Sequence, residues 1–115
     1  MKVAIIGSRE FVMINRFAKR MVELLEEYPN NLYLISGGAK GIDTKAEKFA
    51  RAKGIPIEII RPIDPKSKID YLFRNVEIIT KADFVIAFWN GSSKGTKFCI
   101  DYCKARGKEI EVVNI

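Results

Sequence analysis

The sequence predicts an α/β protein built on one doubly wound parallel sheet of five strands with helices on both faces. Three observations carry this. Short β-type runs alternate with amphipathic helical patterns along the whole chain. The run Phe84 to Trp89 (FVIAFW) is apolar without alternation, as in strands covered on both faces. The connections are too short for anything but local crossovers.

The elements follow in order. Lys2 to Ile6 (KVAII) is the first strand. Phe11 to Tyr28 sets Ile14, Phe17, Met21, Leu24, Leu25 and Tyr28 on one helical face. Leu32 to Ile35 (LYLI) is the second strand. The second helix carries Ile42, Ala46, Phe49 and Ala50 in register and stops near Gly54-Ile55-Pro56. Ile57 to Ile60 is the third strand, ended by Pro62 and Pro65. A third helix follows, with Ile69, Leu72, Phe73, Val76 and Ile79 as its inward face and Arg74-Asn75 interrupting it. After the fourth strand, a last helix over Thr96 to Arg106 leads through Gly107 to the closing strand IEVVNI. This connectivity gives a Rossmann-like sheet of order 3-2-1-4-5.

Length and composition set the bounds. The 115 residues suit a single domain, 1–115, with one core, and 48% hydrophobic with 30% charged residues is ordinary globular usage. No apolar run is long enough to span a bilayer, and Met1-Lys2 leads directly into a strand, so the expectation is a cytoplasmic chain with no membrane partner. Cys99 and Cys103, four apart in a helix, read as reduced core cysteines. They do not suit a disulfide, and without any histidine they make no metal site. The net charge of +6 favours an anionic partner only weakly, because the basic residues are spread over the helices as on a solvated face.

The loops after the first, second and fourth strands emerge on one edge of the sheet, where ligands of such folds bind. They read Gly7-Ser8-Arg9; Ser36-Gly37-Gly38-Ala39-Lys40-Gly41 ahead of Asp43; and Asn90-Gly91-Ser92-Ser93-Lys94-Gly95-Thr96. Helix amino termini offer unpaired N–H groups and partial positive charge, and glycine removes the side chain that would block an anion. Each loop alone is equally a cap or a turn. Three converging loops point to phosphate, with the glycines clearing space for it. Neither G-x-x-x-x-G-K-[ST] nor G-x-G-x-x-G is present, which removes support for P-loop hydrolysis and standard dinucleotide dehydrogenation. Arg74, with Asn75, either reaches over the ligand or pairs with a nearby carboxylate. Trp89 either stacks on a base or packs in the core. Asp43 is either an acid or a complement to the helix dipole.

Taken together, "GSREF", "LISGGAKGIDTKAEKFARAKGI", "RNVEIITKADFVIAFWNGSSKGT" and "ARGKEIEVV" resemble the SLOG superfamily, in its small YspA/YpsA-related branch. The resemblance implies a nucleotide-binding Rossmann-like domain and covers nearly the whole chain. Ser36 to Ala46 is similar to a motif of the DNA-processing A proteins, which bind single-stranded DNA. Arg74 and Ser92 to Thr96 resemble the arginine and the P-G-G-x-G-T-x-x-E loop of the lysine-decarboxylase-like phosphoribohydrolases. Here "NGSSKGT" lacks the "PGG", and Cys99 stands at the position of the catalytic glutamate. A thiol does not replace that carboxylate at neutral pH without strong thiolate stabilisation. Asp43 and Asp101 are the remaining acids.

The expected function is binding or sensing of a nucleotide or nucleotide-derived, phosphate-bearing ligand, with no cofactor or metal. The alternatives are a nucleotide-processing hydrolase (N-glycosidase or phosphohydrolase) and a single-stranded nucleic-acid binder. The resemblance also implies a homo-oligomer through the third or last helix.

Overall fold

The computed structural model describes all 115 residues. The strands are β1 (Lys2–Gly7), β2 (Tyr33–Ser36), β3 (Ile57–Ile59), β4 (Phe84–Trp89) and β5 (Ile110–Asn114). The helices are α1 (Ile14–Glu27), α2 (Ile42–Lys53), α3 (Lys68–Lys81) and α4 (Lys94–Arg106). All strand pairs are parallel, in the order β3-β2-β1-β4-β5, so the order in which strands are added reverses between β1 and β4. This is the expected topology. No helix is long and apolar enough to cross a membrane.

Period-two alternation divides the core. Val3 and Ile5 of β1, with Phe84, Ile86 and Phe88 of β4, meet Phe17, Met21 and Leu24 of α1 and Ile42, Ala46 and Ala50 of α2. The intervening Ala4 and Val85 face the other way, against Ile78 and Ile79 of α3 and Cys99 and Cys103 of α4. Phe88 is fully buried, its ring edge-on to Phe17 at 4.9 Å between centroids. Both cysteines are free and buried, as the sequence suggested.

Two helix starts differ from expectation for reasons that lie far away in the chain. The first helix begins at Ile14, not Phe11, because the N–H groups of Val12 and Met13 both donate to the Ile115 carbonyl at 2.9 Å. The last begins at Lys94, not Thr96, because Ser93 caps it and accepts from the Thr96 N–H at 3.3 Å.

The larger correction concerns α3. Its start is well specified: the Ser67 side chain accepts from the Asp70 N–H at 3.2 Å. Its buried residues are Arg74, Ile78 and Ile79, with Tyr71 half-buried one turn before Arg74, not the apolar stripe the sequence shows. Ile69, Leu72 and Phe73 are exposed, Phe73 at 68%. The helix is rotated so that Arg74, 8% exposed, occupies a core-facing position. Only Ile79 of the expected stripe is fully buried.

Two substitutions distinguish the two registers. Ile79→Ala is expected to cost about 2–5 kcal/mol of unfolding free energy, whereas Phe73→Ser should stay within about 0.5 kcal/mol. Denaturant melts of both variants check this. A Phe73→Ser loss matching that of Ile79→Ala would restore the sequence-based register.

Candidate functional site

The carboxyl ends of β1, β2 and β4 open onto a cavity of about 640 Å³ at the point where the strand order reverses. Ile5, Ile6 and Ile78 give it an apolar base. Tyr71, Leu72 and Lys68 wall it from α3, and Asn90, Ser92, Ser93, Gly95 and Thr96 from the other side.

Arg74 enters from α3 and is held on two sides. Its Nη1 donates to the Gly37 carbonyl at 2.6 Å, and its Nε to Asn75 Oδ1 at 2.9 Å. The guanidinium lies 5.1 Å from the Tyr71 ring centroid. No carboxylate lies within 4.0 Å of it, so it makes no ion pair, and its Nη2 donates to no protein acceptor. Burial lowers its pKa, and the charge of Asp43 offsets this only in part.

Asp43, in the first turn of α2, is also buried, and its Oδ2 accepts from the Ala39 N–H at 3.1 Å. The Thr44 hydroxyl donates to the Ala39 carbonyl at 3.0 Å, so both polar groups of Ala39 are tied to α2. Burial pushes the Asp43 carboxyl up, against the opposing bonds from the loop N–H groups and the field of Arg74. Both members of this pair are therefore shifted toward their neutral forms. Desolvation outweighs their mutual attraction, and Arg74 keeps positive character toward the cavity.

Each of the three loop glycines is required by contacts within the chain itself. A Cβ on Gly37 would lie 2.5 Å from Arg74 Nη1 and 3.1 Å from Asp43 Oδ2. On Gly38 it would lie 2.9 Å from the Arg61 guanidinium carbon. On Gly41 (φ +81°) it would lie 2.5 Å from the Arg9 carbonyl oxygen. The space they leave is filled by two arginines and a neighbouring loop of this chain. Gly91 and Gly95, in the loop after β4, face open space instead, with nothing within 4 Å.

Internal bonds also tie the loops to one another. The Ser8 side chain accepts from the Asn90 N–H at 3.1 Å, and the Asn90 amide donates to the Glu10 carbonyl at 2.9 Å. Asn90 Oδ1 accepts from the N–H groups of Ser92 and Ser93, both at 2.9 Å. Thr96 Oγ1 and Ser93 Oγ share a bond at 3.1 Å. The N–H groups of Lys94 and Gly95 remain uncommitted at the start of α4.

Of the residues the sequence singled out, Gly7, Arg9, Gly37, Asp43, Arg74, Asn75, Asn90, Ser92, Ser93, Gly95 and Thr96 come together around the cavity. Gly38 and Lys40 line a smaller cavity next to it. Ser8, Ser36, Gly41, Trp89 and Gly91 line neither. Ser36 is fully buried with an unpartnered hydroxyl. Trp89 is not a core residue: it is partly exposed, and its indole N–H donates to the Ser93 carbonyl at 3.0 Å. Cys99 lies at the cavity wall with its thiol pushed up to about 12 by burial, so it is neutral at physiological pH. Asp101 is exposed and paired with Lys97 at 2.7 Å.

Sequence reasoning passed over Glu10, Lys68, Tyr71 and Arg61. For Tyr71 a signal existed, since it lies three residues before Arg74 and so shares its helix face.

Fold and site together define a Rossmann-like α/β domain with a cavity at its topological switch point. Within that class, residues 1–63 match the YspA, cpYpsA-related SLOG family (YAcAr), and the chain belongs to it. No curated protein matches the sequence significantly. Among solved structures, the chain is similar to DNA processing protein A from Streptococcus pneumoniae, with TM-score 0.79 and 21% identity over 96% of this chain and 49% of that one. It is also similar to DNA processing protein A from Helicobacter pylori, described through its single-stranded DNA binding mode, with TM-score 0.75 and 24% identity over 97% of this chain and 64% of that one. At these identities the likeness is one of fold. The chain spans less than two thirds of either protein's structure.

Gly41→Ala is expected to cost roughly 2 kcal/mol or more, from its positive φ and the Arg9 backbone beside it; urea melts would show it, and an unchanged midpoint would refute it. Asp43 gives a pH signature. Its carboxyl holds a proton more tightly folded than unfolded, so its contribution to stability falls as pH rises through the folded pKa. The melting temperature of Asp43→Asn minus that of the parent should therefore grow from about pH 3 to about pH 7. A difference that stays flat would mean charge burial is not the cause.

Proposed function

We propose that this chain binds a nucleotide or nucleotide-derived, phosphate-bearing ligand in the cavity over the ends of β1, β2 and β4. The observation that carries this reading is Arg74: buried, unpaired, and bordering a cavity that also takes in the open amino terminus of α4. A phosphate there would accept from the N–H groups of Lys94 and Gly95 and from the free edge of Arg74. Ile6, Tyr71 and Leu72 offer apolar and aromatic surface for a base or sugar.

The reading is one of binding and not of turnover. Cys99 is a neutral thiol where the resembling hydrolases have a carboxylate, and Asp43 is engaged by the Ala39 N–H. A second reading, single-stranded DNA binding, is favoured by the fold of both DNA processing proteins and by Arg9, Lys40 and Lys68 around the two cavities. There the phosphates of a strand would take the place of the small ligand.

Thermal melting with AMP, ADP and a short single-stranded oligonucleotide, each at low and high salt, separates the readings. A mononucleotide at a hundredfold its Kd adds about 2.7 kcal/mol, raising Tm on the order of 10 °C at both salts. Gly95→Asp should abolish that rise without lowering the unliganded Tm, since an acid in the first turn suits the helix dipole but repels phosphate. A rise seen only with the oligonucleotide, and lost as salt increases, favours the second reading. No rise with any of them rejects both.

A further inference from the structure

Beside the main cavity lies a second, of about 370 Å³, that shares Arg9, Tyr71 and Arg74 with it and adds Lys40 and Arg61. Its charged lining residues are Arg9, Lys40, Arg61 and Arg74, with no carboxylate among them. None of the four lies within 4.0 Å of a carboxylate anywhere in the chain. Arg20, Arg51, Lys81 and Lys97 all do. Four cations without an ion-pair partner around one hollow repel each other; the buried Asp43 of the adjoining cavity offsets Arg74 and Arg9 only in part, and a bound anion would supply the rest.

Arg61 is held there by the fold. Its Nη1 donates to the Gly38 carbonyl at 3.1 Å, as Arg74 Nη1 donates to the Gly37 carbonyl at 2.6 Å. Two guanidinium groups thus rest on successive residues, whose Cα atoms are about 3.8 Å apart. The glycine at 38 makes this seat, because a Cβ there would lie 2.7 Å from Ile59 Cγ2 and 2.9 Å from Arg61 Cζ. Pro62 and Pro65 line the same hollow and stiffen the chain that follows Arg61. With Nη1 of each guanidinium fixed on a carbonyl and the Arg74 Nε on Asn75, the Arg74 Nη2 and the other N–H groups of Arg61 are free for phosphate oxygens.

We propose that the ligand carries two phosphoryl groups, one in the main cavity and one in the second cavity on Arg61, with Arg74 between them. This rests on the nucleotide reading above and narrows it to nucleotides with a second phosphoryl group.

The test is titration calorimetry of the full chain with AMP, ADP and adenosine 3′,5′-bisphosphate. ADP and the bisphosphate separate adjacent from distant phosphoryl groups. At least one of them should bind about tenfold or more tighter than AMP, the return expected of one added charge-assisted contact. Arg61→Gln should collapse that ratio to about one, and Lys53→Gln, an exposed cation on α2, should keep it. Lys40→Gln, reducing the ratio in part, guards against a local effect of the Arg61 change. AMP bound as tightly as both diphosphorylated ligands would overturn this inference and leave the nucleotide reading standing. A ratio unchanged by Arg61→Gln would do the same. No binding of any of the three would remove both.

Discussion

The hydrogen bond from Arg74 to the Gly37 carbonyl is the constraint around which this end of the molecule is arranged. A guanidinium cannot be left dry without acceptors, and the Gly37 carbonyl just past β2 is the one that another element of the fold supplies. Satisfying it turns α3 so that Arg74 faces inward. That turn leaves Ile69, Leu72 and Phe73 in solvent and forbids any side chain at position 37. It also places a positive charge at the cavity with its nearest acid, Asp43, too far away to pair.

Around that arginine the site is assembled before any ligand arrives. Ser8 links the loops after β1 and β4, Asn90 organises the approach to α4, and Asp43 with Thr44 closes the loop after β2 on Ala39. Most of the hydroxyl and amide groups that look available in the sequence are thus already used. What is left uncommitted is a small set: two N–H groups of α4, the free edge of Arg74, and the cations of the second hollow. Binding energy then need not be diverted into ordering loops.

The fold was legible because its signals are local. The unbroken apolar run of β4 announces two covered faces, and the alternation of elements leaves few topologies. The region of the site was legible too, since loops at one sheet edge follow from connectivity alone. The roles within it were not. The partners of Arg74 and Arg61 lie 37 and 23 residues away, and no periodicity reports a carbonyl at that distance. Hydrophobic spacing therefore misassigned the inner face of α3, where one polar contact outweighs three exposed apolar side chains. The loop glycines were attributed to a ligand because sequence shows that space is needed and not what fills it. Trp89 and Ser8 were candidates by type, and both hold the loops in place.

The seating of each arginine on a glycine has a consequence for how the chain can change over generations. Position 37 tolerates a side chain only where position 74 has ceased to be an arginine in this pose. The two positions are epistatic, since the effect of a substitution at one depends on the residue at the other. A lineage leaving this arrangement loses the arginine first and the glycine second. The reverse order passes through a chain with a displaced guanidinium and a broken loop. Position 38 has no such route, because its positive φ and the Ile59 side chain beside it persist whatever stands at position 61.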